Sequence, residues 1–151
     1  MLIMESRVEQ VLECFNNAEC FNCAQAMLTT YCEDLGLTKE TALKLACGFG
    51  AGMGRLGHTC GAVTGAYMVI GLKHGHFVQE QLERREKTYA LIQEFEKRFA
   101  EKNRTTVCRE LVQADFLHDD KTLFMEKVQK ICPELLKDAV GILEDLLFAE
   151  K

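Results

Sequence analysis

The sequence predicts an all-α fold, a single domain over residues 1–151 with seven or eight helices. The chain contains one proline, no dipeptide typical of a two-residue hairpin turn, and no sustained alternation of apolar and polar residues. Strands therefore have little support. Apolar residues recur instead at the spacing of one helical face. With 151 residues, 48% of them hydrophobic, the chain is long enough to bury one core.

The first two helices are predicted before residue 37. An amphipathic segment covers residues 4 to about 15, and a second helix follows in the segment NCAQAMLTTYCEDLG. Asn22 is a predicted N-cap, and Gln25 stands where a capping box places its second member. Gly36 can adopt the left-handed conformation that ends a helix.

The third and fourth predicted helices flank a glycine-rich segment. Thr38 is the predicted N-cap of the third helix, and Thr59 that of the fourth, CGAVTGAYMVIGLKHG, which ends at Gly75. Residues 48–66, GFGAGMGRLGHTCGAVTGA, contain seven glycines. This composition predicts a tight helix-turn-helix corner between the two helices.

The rest of the chain predicts four further helices. A long fifth helix covers about residues 78–102, and the sixth is the short segment TTVCRELVQ, capped by Thr105 or Thr106. The seventh is KTLFMEKVQKI, and the eighth is PELLKDAVGILEDLLFAE, with Pro133 at its favoured first position. The buried stripe predicted for the fifth helix is Leu82, Tyr89, Ile92, Phe95 and Phe99.

Charge and hydropathy exclude several classes of partner. The net charge is -5 and basic residues form no run, so nucleic acid is not an expected partner. The longest apolar run, CGAVTGAYMVIGL, is shorter than the roughly 20 residues needed to cross a bilayer, and no leader pattern precedes it. We therefore expect a cytoplasmic protein without membrane insertion.

The glycines have two interpretations. Gly52, Gly54 and Gly57 match the spacing of a dinucleotide-binding fingerprint, but no strand precedes them and no βαβ unit follows. The alternative rests on Gly57, Gly61 and Gly65, which are spaced by four residues. Small residues at this spacing line one helical face and let a second backbone approach closely. We favour close helix packing.

The eight cysteines divide by position. In a reducing compartment this number indicates metal, cluster or redox chemistry, with simple burial as the alternative. Three lie inside or late in predicted helices and are expected to be buried and inert. Four lie at predicted helix N-termini, where unpaired amides and the helix dipole favour a thiolate. The inert set is Cys14, Cys32 and Cys47, and the helix-start set is Cys23, Cys60, Cys108 and Cys132.

The segments FNCAQAM, GFGAGMGRLGHTCGAVTGAYMVIGL, CRELV and KICPELL resemble the family of redox-active proteins named for its C_GCAxxG_C_C pattern. The resemblance covers nearly the whole chain. It implies a helical fold and an unspecified redox role. The four family cysteines fall on Cys23, Cys60, Cys108 and Cys132, the same four that the helix-start argument selects. The central motif falls on Cys60, Gly61, Ala62 and Gly65.

Three roles remain open for these four thiols. They can form a thiol/disulfide site, bind zinc or an iron–sulfur cluster, or be inert residues of the core. Cys60 is predicted to be the most reactive, because His58 lies two residues before it and can lower its pKa. Cys20, which forms the segment CFNC with Cys23, is an auxiliary candidate. The sequence identifies neither the cofactor nor the redox partner.

A non-redox alternative is a dimeric or partner-binding helical module whose cysteines are only buried. Such a module could associate with a transporter or with a larger redox complex. Its small-residue helix face and its acidic fifth helix provide surfaces for self-association. A solution mass near that of one chain would argue against a homo-oligomer.

Overall fold

The computed structural model describes residues 5–16 and 21–149 of the chain. These residues form seven right-handed α-helices and one short left-handed turn, and no strand occurs among them, so the all-α prediction is confirmed. A 3₁₀ turn at Glu33–Leu35 extends α2 and ends at Gly36, whose φ of 86° confirms the predicted left-handed stop. The elements are α1 (Val8–Asn16), α2 (Cys23–Cys32), α3 (Lys39–Cys47), the left-handed turn α4 (Gly50–Met53), α5 (Gly61–His74), α6 (Leu82–Asn103), α7 (Cys108–Val112) and α8 (Lys121–Leu147).

Helices α2 and α5 form the centre of the bundle. Nearly every residue of α2 is buried, as are residues 61–66 of α5. A helix that is apolar on all sides must be covered on all sides. Helices α1, α3 and α8 pack against α2, and α6 and α8 pack against α5. The beginnings of α2 and α5 therefore lie deep in the domain.

Two glycines allow α2 and α5 to touch, as predicted. A Cβ atom on Gly65 would lie 2.6 Å from Cβ of Met27 and 3.1 Å from the carbonyl oxygen of Ala24. Gly61 contacts α2 one turn earlier. Gly57 does not belong to this stripe, because it precedes α5 and adopts a φ of 71°. A Cβ atom there would lie 3.1 Å from Cβ of Arg109 instead.

The glycine-rich segment between α3 and α5 is longer than the tight corner expected from its composition. Helix α3 begins after the predicted cap Thr38 and ends at Cys47, and α5 begins only at Gly61. The intervening chain contains α4 and returns toward α7. Thr59 forms an isolated antiparallel bridge with Val107.

The fifth predicted helix, α6, begins four residues later than predicted, and its buried face differs from the predicted one. It begins at Leu82, and Leu82 and Tyr89 are exposed, while Phe95 and Phe99 are fully buried. Thr88 takes the inward position one turn before Ile92. Burial of this polar residue is tolerated because its hydroxyl donates a hydrogen bond to the Arg84 carbonyl oxygen at 2.8 Å.

The seventh and eighth predicted helices form one continuous helix, α8, which contains Pro133 in its interior. The prediction that Pro133 begins a helix is therefore wrong. A proline inside a helix removes one hydrogen bond and crowds the preceding turn. The apolar face of α8 continues across Pro133, from Cys132 to Leu135 and Leu136, and all three are buried. Tertiary packing thus outweighs the local preference of proline for a helix start.

No helix in the described residues is long and apolar enough to cross a membrane.

Candidate functional site

The four helix-start cysteines are nearly inaccessible to solvent. Cys60 is 4% exposed, Cys108 7%, and Cys23 and Cys132 8% each. Cys23 is the first residue of α2, Cys60 is the N-cap of α5, and Cys108 is the first residue of α7. Cys132 lies in the middle of α8, so its predicted place at a helix N-terminus is wrong. The predicted caps Thr59, Thr105 and Thr106 are replaced by Cys60 and Val107.

Backbone hydrogen bonds hold the start of α5 beside the start of α7. The Cys60 amide donates to the Thr106 carbonyl oxygen at 2.8 Å, and the Cys108 amide donates to the His58 carbonyl oxygen at 2.5 Å. Helix α7 in turn packs against α8, where Cys108, Val112 and Cys132 form a small buried cluster. Cys108 thus lies beside the start of α5 and packs in one cluster with Cys132 of α8.

The four thiols interact electrostatically. Burial, followed by the charges of the other three thiols, raises the pKa of the Cys60 thiol well above its usual range. Burial and then the charge of Cys23 raise the pKa of Cys108 to about 12. The pKa of Cys132 is raised by burial and then by Cys23 and Cys108. Because buried like charges disfavour one another, ionisation of one thiol keeps the others protonated.

Cys23 differs from the other three in its hydrogen-bond partners. Burial raises the pKa of its thiol, and hydrogen bonds from four backbone amides oppose that rise. Two of these amides belong to the first turn of α2, one to the left-handed turn α4 and one to the start of α5. We call this group the Cys23 amide pocket. Its members are the backbone amides of Cys23, Ala24, Ala51 and Gly61.

The side chain of Asn22 fixes the start of α2 and hence the position of Cys23. Its oxygen accepts a hydrogen bond from the Gln25 amide, and the Gln25 side chain accepts one from the Asn22 amide, both at 2.9 Å. The predicted capping box is confirmed. The two side chains also donate to α3, from Asn22 to the Cys47 carbonyl oxygen and from Gln25 to the Leu43 carbonyl oxygen, each at 3.0 Å.

The left-handed turn that supplies the Ala51 amide is strained. Five consecutive residues, 51–55, have φ values between 52° and 67°, and three of them are not glycine. Such a conformation costs an L-residue on the order of 1–2 kcal/mol. Gly52 lies at its closest contact, because a Cβ atom there would be 2.6 Å from the His58 amide nitrogen and 2.7 Å from Cβ of Cys108. The turn therefore fits between Cys23 and Cys108. In the sequence, only the alternating glycines at 50, 52 and 54 indicate a left-handed turn here.

The pKa of the Cys60 thiol is raised, whereas the sequence predicts that His58 lowers it. His58 is exposed, and it reaches the site through its backbone carbonyl oxygen, which accepts from the Cys108 amide. The Ala62 amide lowers the pKa of Cys60, but burial and the other thiols raise it more. A helix start alone does not favour a thiolate when the sulfur is buried among other sulfurs.

The remaining cysteines are dispersed. Cys32 is fully buried as predicted, and its thiol lies 3.4 Å from the Thr29 carbonyl oxygen. Cys14 is half-buried, and Cys47 is exposed, so the prediction that it is buried is wrong. Cys47 is the last residue of α3, and the glycines that follow it carry no side chain to cover it. The auxiliary candidate Cys20 lies outside the described residues.

The seven cysteines in the described residues are free thiols. In the same part of the chain, no three His, Cys, Asp or Glu side chains are arranged to hold one metal ion.

Fold and site together define a helical protein built around four buried, electrostatically interacting cysteines. Residues 21–146 match the family described as "Putative redox-active protein (C_GCAxxG_C_C)", and the chain belongs to that family. Neither a curated protein nor a solved structure matches the chain.

Proposed function

We propose that the protein exchanges thiols with disulfides, with Cys23 as the attacking thiol. The Cys23 amide pocket carries this proposal. Thiolates are the nucleophiles of thiol–disulfide exchange, and hydrogen bonds to the charged form stabilise it. Backbone amides of three chain segments lower the pKa of this thiol, and the backbone of Gly61 lies against its sulfur. Burial raises the pKa of all four thiols, but amides oppose the rise at Cys23, whereas neighbouring thiols add to it at Cys60, Cys108 and Cys132.

In the proposed reaction, the Cys23 thiolate attacks a disulfide on a partner molecule. A mixed disulfide forms, and one partner sulfur leaves as a thiolate. A second cysteine of the chain then attacks the Cys23 sulfur and releases the second partner thiol. Two protein thiols become one disulfide, and two electrons and two protons pass to the partner. This product leaves no charge in the buried site.

Cys60 is the proposed second cysteine. It directly precedes Gly61, whose backbone contacts the Cys23 sulfur. Of the charges that raise the pKa of Cys60, that of Cys23 acts most strongly.

The reduced protein should be exposed to a small disulfide and analysed by mass spectrometry of its peptides. Wild type should give a Cys23–Cys60 disulfide. Cys60→Ser should accumulate a mixed disulfide on Cys23, and Cys23→Ser should give neither product. Cys47→Ser is the matched control at an exposed thiol and should behave as wild type. Accumulation of the mixed disulfide on Cys60, Cys108 or Cys132 in place of Cys23 would refute the assignment, whereas a mixed disulfide on the exposed Cys47 is expected in every variant that retains it.

A further inference from the structure

The segment that covers the thiols carries exposed apolar residues. Leu56 is 59% exposed, and Leu117, in the connection between α7 and α8, is 89% exposed. Their chain segments are adjacent, because a Cβ atom on Gly57 would lie 3.4 Å from the ring of Phe116. Contiguous exposed apolar surface marks sites of protein interaction.

Two arginines flank these leucines. Arg55 directly precedes Leu56, and Arg109 donates hydrogen bonds to the Leu56 carbonyl oxygen at 2.9 Å and the Gly57 carbonyl oxygen at 3.2 Å. Both arginines are exposed. Within residues 5–16 and 21–149, neither forms an ion pair with a carboxylate.

The carboxylates of the neighbouring connection already have partners. Asp115 binds the His118 ring at 2.8 Å, and Asp119 binds the Lys127 ammonium at 2.7 Å. Asp120 accepts from the Leu123 amide as the N-cap of α8. These three carboxylates are therefore not paired with Arg55 or Arg109.

This surface adjoins Cys108, one of the four buried thiols. Arg109 follows Cys108 in the chain, and the segment from Gly52 to His58 contacts Cys108 through Gly52 and through the His58 carbonyl oxygen. Because each of the four thiols is at most 8% exposed, a disulfide must approach through a covering segment. The segment from Gly52 to His58 contacts Cys108 and bears Arg55, which forms no ion pair within the described residues.

We propose that this surface docks an acidic protein that carries the disulfide substrate. The docking surface consists of Arg55, Leu56, Arg109 and Leu117. Uncompensated positive charge attracts a negatively charged partner over a distance and orients it, while the leucines provide the apolar centre of contact. The inference rests on the proposed thiol–disulfide exchange and adds the class of partner.

Two disulfide-linked peptides of equal length test the docking surface, one with glutamates and leucine beside the cysteine and one with lysines and leucine. The exchange rate of the reduced full chain should be higher with the acidic peptide and should fall as salt is added. Arg55→Glu should lower that rate by roughly threefold to tenfold at low salt and leave the basic peptide unaffected or faster. Lys87→Glu is the charge-matched control on α6 and should change neither rate.

A second pair of variants tests the apolar contact. Leu117→Gln should slow exchange with both leucine-containing peptides, whereas Leu82→Gln, at an exposed position on α6, should not. If Arg55→Glu affects both peptides equally, or no more than Lys87→Glu does, the docking surface is wrong while thiol–disulfide exchange stands. If the wild type exchanges with neither peptide and with no small disulfide, both proposals are overturned.

Discussion

The backbone of Gly61 lies directly against the sulfur of Cys23. A Cβ atom at position 61 would overlap this sulfur and would lie 3.1 Å from the Ala24 amide nitrogen. The contact joins the first turns of α5 and α2 and lets the Gly61 amide donate to the thiol. The glycine of the family motif is therefore a requirement of the site as well as of helix packing.

Substitution of Gly61 should consequently damage both stability and reactivity. Gly61→Ala should lower the free energy of unfolding by about 1–3 kcal/mol, because the added methyl group has no space. It should also slow alkylation of Cys23. Gly61→Leu should be more severe than Gly61→Ala. Urea unfolding and peptide-resolved alkylation measure the two effects.

The matched control is Gly71, which also lies in α5. A Cβ atom there meets nothing within 4 Å. Gly71→Ala should raise the free energy of unfolding by up to about 1 kcal/mol, because alanine favours the helix. If the two variants unfold alike, close contact is not the reason for glycine at position 61.

Alkylation of the folded, reduced protein at mildly alkaline pH should follow accessibility first and hydrogen bonding second. Cys47 should react before the others, because it is exposed. Among the four buried thiols, Cys23 should react before Cys60, because backbone amides stabilise its thiolate. Equal rates for Cys23 and Cys60 in the folded protein would contradict a role for the amide pocket. Labelling in denaturant serves as the control, and there the cysteines should be alkylated at similar rates.

The sequence predicted the helices and the family, but it did not predict the surroundings of the Cys60 thiol. Caps such as Asn22 and Thr38 act within one turn, so local pattern is enough to find them. The pKa of Cys60 depends on burial and on three thiols that are distant in the sequence. These interactions form only when α2, α5, α7 and α8 pack together, so the spacing of residues along the sequence does not predict them.

The left-handed turn α4 is likewise determined by contacts between residues that are distant in the sequence. Local preference opposes positive φ at Ala51, Met53 and Arg55. Contacts with distant residues accompany this conformation, since the Ala51 amide acts on Cys23 and Gly52 packs against Cys108. Pro133 is a second case, since packing on both sides of it holds one helix where the local rule predicts two.

Replacement of Pro133 should therefore stabilise α8. Pro133→Ala restores a backbone N–H in the middle of the helix and removes the clash of the proline ring with the preceding turn. We expect the free energy of unfolding to rise by about 1–3 kcal/mol. Thermal unfolding measures the change. A lower stability would mean that the core around Cys132 requires the backbone geometry that the proline imposes.

Stability should fall in alkaline solution because of the buried thiols. The pKa of an unfolded cysteine is about 8.5, whereas burial and the charge of Cys23 raise the pKa of Cys108 to about 12. Between these values the folded state holds a proton that the unfolded state has lost. The stabilising contribution is thus complete below pH 8.5 and is lost as the pH rises toward 12. Each such thiol contributes a slope of about 1.4 kcal/mol per pH unit.

Comparison of variants separates the thiols from other groups that titrate in this range. The free energy of unfolding should be measured by urea at several values between pH 8 and pH 10, under reducing conditions. Cys108→Ser should reduce the loss of stability by about 1.4 kcal/mol per pH unit above pH 9, because one buried thiol no longer titrates. Cys47→Ser, at an exposed thiol, should leave the slope unchanged. A constant difference between wild type and Cys108→Ser across this range would show that Cys108 ionises equally in both states, and the buried cluster would then not hold its proton.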